Sequence, residues 1–171
     1  LRPDRMHVKT ILNRLEKQPG FIYDSCRWRE SGPPALVITL RPQAGSKPIC
    51  SKCGQRRPGY DHLRARKFAF VPLWGLPVFF LCAPRRVQCP TCKVKVERLP
   101  WAAGQSHLTI PYAWFLAAWC KRLSWKEVAQ AFTTSWDTVF RAVKMAVAWG
   151  LEHTDLRGIA AIGTAEICGR K

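Results

Sequence analysis

The chain has 171 residues, with 28 Lys and Arg against 11 Asp and Glu, for a formal charge of +17. That length allows one domain or two small ones, and that imbalance favours nucleic acid or another anionic surface as partner. Apolar residues make up 47%, and eight Trp with eight Phe can fill a modest core, yet no run is long enough to cross a membrane.

Val8, Ile11, Leu12 and Leu15 recur at helical spacing, and Pro19-Gly20 ends the pattern. Phe21 to Tyr23 reads as a short strand, Ser31 to Pro34 as a break, and Ala35 to Leu40 as a β-branched strand. The first cysteine knuckle follows, Cys50-x2-Cys53, with Gly54 placed for a tight turn. Arg66 to Val71 and Val78 to Val87 form the next expected strand pair, joined across Pro72 to Gly75. The second knuckle, Cys89-x2-Cys92, leads into an alternating edge strand from Val94 to Glu97. Residues 100–107 read as a linker, after which helices dominate. Pro111 opens one, and Ser124 with Glu127 forms a capping box for the second. Ser135 caps a third helix that should stop at Gly150, and the tail from Arg157 to Ile167 turns strand-like.

Four thiolates in two C-x2-C pairs suit one tetrahedral zinc ion, in a closed shell with no open position for catalysis. Redox dithiols are the alternative, and His62 or His107 are other candidate ligands, though neither belongs to a knuckle. Lys52, Arg56, Arg57 and Lys93 are expected to lower the thiol pKa values. Cys26, Cys82, Cys120 and Cys168 are scattered and read as small buried hydrophobes. Without a signal peptide at its start, the chain is assigned to a reducing cytosol, and its first residue, Leu1, predicts that the native start lies elsewhere.

Between Arg41 and Arg98 stand thirteen Lys/Arg and two Asp/Glu, which is +11 of the +17. A solvated face mixes both signs, so this segment points to phosphates; a basic ribosome-associated protein is the blander alternative. The candidate phosphate contacts are Arg56, Arg57, Arg64, Arg66, Lys67, Arg85 and Arg86. Val128, Ala129, Phe132, Val139 and Ala142 are spaced to pack two helices together. That leaves Ser135, Trp136, Asp137, Arg141 and Lys144 on the outer face of the second, where a helix-turn-helix presents its reading residues. An ordinary helical hairpin would share the same apolar pattern, and Thr133 stands where Gly is common.

The run His7 to Asn13, the two C-x2-C pairs, Leu123 to Ala129 and Ser135 to Val139, in this order, resemble the N-terminal half of ISL3-family bacterial transposases. The resemblance implies a zinc ribbon and helix-turn-helix that bind terminal inverted repeats of double-stranded DNA. It further implies a homodimer, a bacterial cytoplasmic setting at the nucleoid, and a following RNase H-like domain working with two divalent metals. In that family the first catalytic strand reads Gly-Ile-Asp-Glu-Ile; here Gly163-Thr164-Ala165-Glu166-Ile167 puts Ala165 where the first catalytic Asp is expected.

The expected fold is therefore α+β: an N-terminal segment (1–40) packed on a zinc ribbon (41–99), then a linker (100–107) and a helix-turn-helix (108–150). The start of a truncated RNase H-like domain (151–171) would follow. As a carboxylate-poor polypeptide the chain is expected to bind DNA without cutting it. A stand-alone transcriptional regulator and a zinc-ribbon adaptor for an acidic protein are the alternatives.

Overall fold

The computed structural model describes residues 8–104 and 106–154. The strand expected within 157–167, with Ala165 and Glu166, lies outside the described residues, as does Cys168. An amphipathic helix α1, Val8–Leu15, precedes β1, Phe21–Trp28, which runs well past the three residues expected of it. β2, Leu36–Pro42, pairs antiparallel with β1. β3, Gly59–His62, is short, and β4, Arg66–Leu73, and β5, Leu76–Cys82, form a hairpin. Trp74 and Gly75 alone close that hairpin, both at positive φ (50° and 77°), the geometry whose twist suits a two-residue hairpin. The strand expected from Val78 to Val87 is broken at Ala83-Pro84. Beyond the break, β6, Arg85–Cys89, pairs with β7, Lys93–Val96.

These strands build two sheets, of order β1-β2-β5-β4 and β3-β6-β7. In the larger, β2 and β5 run parallel. The sequence between the knuckles is thus divided: β3 and β6 lie in the smaller sheet, while the β4–β5 hairpin completes the larger one.

Alternation puts Phe68 and Phe70, Val78 and Phe80, and Ile38 and Leu40 on one face of the larger sheet, where they are buried with Leu12 of α1. A bulge between Tyr23 and Ser25 shifts the register of β1, and Cys26 packs against this core beyond it. Trp101 sits at the centre, 1% exposed, with its ring edge-on to Phe21 at 4.8 Å and to Phe68 at 6.0 Å. The stretch read as a linker is therefore packed, because one large aromatic gains more by burial than its polar surroundings gain by solvation. Cys82 is buried in the same core, and burial pushes its thiol up to about 12; Cys26 and Cys120 are only half-buried.

Three helices follow: α2, Ile110–Trp119, α3, Trp125–Ala131, and α4, Trp136–His153. Both expected caps form. Ser124 and Glu127 make a reciprocal capping box, and the Ser135 side chain accepts from the Thr138 N–H. α4 runs through Gly150 to His153, a turn longer than expected, since glycine weakens a helix without ending it. Val128, Ala129, Val139 and Ala142 are buried in a second core with Tyr112 and Leu116, and Ala69 and Val71 of the sheet pack against it.

Ala69 is the junction. Its N–H donates to the His107 carbonyl at 2.7 Å, and its carbonyl accepts from the Thr109 N–H and hydroxyl at 2.9 and 2.8 Å. Thr109 in turn caps α2. Two cores meet at one backbone position.

Trp101→Ala should lower unfolding free energy by about 3–5 kcal/mol in urea titration, as expected for truncating a buried aromatic. A loss below about 1 kcal/mol would show that the 100–107 stretch contributes nothing to the core. In the turn between α3 and α4, Thr133 adopts φ 49°, a left-handed conformation that crowds a β-branched side chain. Thr133→Gly should raise stability by about 1 kcal/mol, read as a higher melting temperature.

Candidate metal centre and basic surface

The two knuckles are built alike. In the first, the Gly54 N–H donates to the Cys50 carbonyl and the Cys50 N–H to the Gln55 carbonyl, both at 2.9 Å. Gly54 has φ 72°, and Lys93, four residues after Cys89 as Gly54 is four after Cys50, has φ 63°. A left-handed residue at that position curls each loop so that its N–H groups point inward. β6 and β7 hold the second knuckle from behind through the Cys89–Lys93 pairing, and Cys50 bridges to Glu97 beside them.

The result is a cluster of four sulfurs, all within 4.8 Å of one another, with Cys53 Sγ and Cys89 Sγ 3.6 Å apart. A tetrahedral ion at about 2.3 Å from each sulfur requires sulfur–sulfur separations of about 3.8 Å, so only a slight contraction closes the shell. Cys50, Cys89 and Cys92 are buried, while Cys53 is exposed. A soft cation with four thiolate ligands fits this donor set.

At Cys50 the backbone N–H groups of Cys53 and Lys52 outweigh burial and hold the thiol below its ordinary range. At Cys89 burial pushes upward, but N–H groups of Cys92 and Thr91 and the neighbouring sulfurs bring it down to about 6. Cys92 goes the other way, to about 12, through burial and its contacts with the other three sulfurs. Main-chain donors therefore lead the lowering that the sequence assigns to Lys52, Arg56, Arg57 and Lys93. A dication bound there would favour the deprotonated form of all four sulfurs.

The basic residues divide into engaged and open groups. Arg85 is committed to the interior. Its Nε and Nη2 donate to Glu97 Oε2 at 2.9 and 2.7 Å, its backbone N–H to Glu97 Oε1 at 2.7 Å, and its Nη1 to the Ser46 carbonyl at 2.8 Å. Glu97 is 3% exposed, so this pair joins β6 to the residue after β7 and leaves no guanidinium free for a phosphate. Arg86 donates to Asp61 and lies over the Tyr60 ring, 5.3 Å from its centroid, and it holds the Asp61 carboxyl below its usual range. Arg66 lies 5.2 Å from the Phe68 ring centroid. Arg57 is half-buried, and Arg56, Arg64 and Lys67 are exposed.

On α4, Ser135, Trp136, Asp137, Arg141 and Lys144 all face solvent. Arg141 pairs with Asp137 one turn earlier at 2.8 Å. Trp136 stacks on Phe140 at 5.5 Å and 6° and leans against Trp125. His62 is exposed on β3, outside the sulfur cluster, and His107 binds the Lys67 carbonyl through Nδ1 at 3.1 Å. Glu97 is the structural partner that sequence reasoning missed; an acidic residue ending an alternating strand carries no local sign that it is buried.

Over 140 residues, 75% of this chain, the sequence is 24% identical to the transposase for insertion sequence element IS1557 of Mycobacterium tuberculosis, in strains CDC 1551 / Oshkosh and ATCC 25618 / H37Rv. The chain spans about 30% of the length of these curated relatives. No family model matches, and no solved structure matches. The similarity is distant, and it links the chain to insertion-sequence transposases. Among the described residues no helix is long and apolar enough to cross a membrane.

The purified chain should carry about one metal ion, measured by inorganic mass spectrometry. Protons compete with the metal for sulfur, so affinity should rise with pH. Metal content should therefore fall as the pH is lowered. Equal metal content at pH 5 and pH 7.5 would contradict this. Cys89→Ser should release the metal and reduce the β-sheet signal in circular dichroism.

Proposed function

We propose that this chain is the DNA-binding part of an insertion-sequence transposase of the ISL3 kind, reading terminal inverted repeats through a zinc ribbon and a helix-turn-helix. The observation that carries this reading is α4. Its start is fixed by the Ser135 cap and the turn at Thr133, and Val139 and Ala142 are buried, while Trp136, Arg141 and Lys144 face outward. A helix held at its N-terminal end, with Trp136, Arg141 and Lys144 outward, has the form of a recognition helix entering a major groove. Distant similarity to a transposase adds support from an independent direction.

Zinc is the natural occupant of the sulfur cluster, since four thiolates in a tetrahedron match its coordination and exclude hard ions such as Mg²⁺. Its role would be to hold the smaller sheet together, because a shell closed by four sulfurs leaves no position for substrate. Arg56, Arg57, Arg64, Lys67 and Lys144 would grip phosphates and Arg141 a base edge or the backbone, whereas Arg85 would serve the fold. The described part of the chain would thus bind DNA rather than cut it.

Selection from a randomised duplex pool, with and without a zinc chelator, tests the reading. The expected result is enrichment of one sequence that is lost on chelation. With about six phosphates neutralised, log K should fall against log salt with a slope near −5. A slope near zero would remove DNA as the partner.

A further inference from the structure

A cleft of about 250 Å³ lies where the edge of the larger sheet meets the start of α4. Lys67 reaches it from β4 and Arg141 from α4, and Ala69 and Val71 of β4 pack against the core that buries Val139 and Ala142 of α4. His107, Ser106, Thr134 and Thr138 line the space between, and none of the described residues lining it is Asp or Glu.

The position of these groups is set by the backbone. β4 is the edge strand of its sheet, and the 107–109 stretch is bonded to it through both the N–H and the carbonyl of Ala69. The His107 ring is tied to the Lys67 carbonyl at 3.1 Å. On the opposite wall, the Thr138 hydroxyl lies 2.8 Å from the Ser135 hydroxyl, within the cap of α4. Arg141 is held at one side by Asp137, which keeps its guanidinium over the first turns of the helix.

Two cations from different elements, with hydroxyls in the lining, suit a tetrahedral oxyanion. Arg141 and its partner Asp137 form a surface pair that leaves the arginine side chain 74% exposed, so Asp137 can be exchanged for a stronger anion. We propose that the cleft seats a single phosphodiester of duplex DNA, clamped between Lys67 and Arg141, so that sheet and helical unit engage one DNA segment as a continuous surface. This inference rests on the DNA-binding reading above and deepens it. Ser106 and His107, which line the cleft from outside both knuckles and α4, become additional contacts.

The test uses the full chain with its metal, a fluorescent duplex of about 24 bp, and binding isotherms between about 50 and 200 mM salt. The variants are Lys67→Met, Arg141→Gln and the double substitution, with Lys47→Gln as a control of equal charge change outside the cleft. Melting temperature and metal content check that each variant folds. A shared phosphate predicts that each single variant weakens binding roughly two- to fivefold with little change in salt slope, because the other cation still neutralises the phosphate. The double variant should then lower the slope by about 0.9, the release expected for one phosphate.

A fall of about 0.9 in each single variant and about 1.8 in the double would mean two separate phosphates, and the clamp would be wrong while DNA binding stands. Unchanged affinity in the double variant would also overturn it. If the unaltered chain fails to bind the duplex at all, the DNA-binding reading falls and the clamp falls with it.

Discussion

Closure of the sulfur cluster is the constraint on which the smaller sheet depends. That sheet is three strands, two of them only four residues long, and its own buried residues are the three buried cysteines and Val87. So small an apolar core cannot offset the entropy of ordering its strands, and a metal held by the four sulfurs would supply what the core lacks. The Arg85–Glu97 pair works in the same place by another route. Both charges are largely shielded from water, so their attraction strengthens, and the hydrogen bonds to both carboxylate oxygens and to Ser46 meet the demands that burial imposes.

The helical unit hangs from a different support. Ala69 exchanges hydrogen bonds with residues on either side of Leu108, and Thr109 uses one hydroxyl both to bind the sheet and to cap α2. Backbone bonds at both sides leave little freedom for the helices to turn relative to β4. A surface assembled from several elements needs that kind of attachment, since each cation must meet its target without first being ordered.

Much of the local structure was legible in the sequence, because its causes are local. The capping pairs Ser124–Glu127 and Ser135–Thr138 join residues three apart, and the C-x2-C knuckles are set by spacing alone. What escaped was decided at a distance. Trp101 finds Phe21 and Phe68 from far along the chain, so Pro100 and Gly104 nearby made it look like part of a linker. The break at Ala83-Pro84 hands the chain from one sheet to the other, and a continuous β-rich run conceals it. Arg85 and Arg86 carry the same charge on paper as Arg64 and Lys67. Their acidic partners, twelve and twenty-five residues away, decide that they are already occupied.

The order in which strands enter the two sheets has its own consequence. β2 goes to the larger sheet, β3 to the smaller, β4 and β5 back to the larger, and β6 and β7 to the smaller again. Neither sheet is a contiguous piece of sequence. No single cut separates the two sheets from each other, because β3 precedes β4 and β5, and neither could be exchanged between proteins as a cassette. Fastening Cys53 to Cys89 would close a loop that contains the β4–β5 hairpin and so lower the entropy that hairpin has to lose. The metal would then act on a sheet that it never touches, as a clasp that reduces the disorder β4 and β5 must lose to dock.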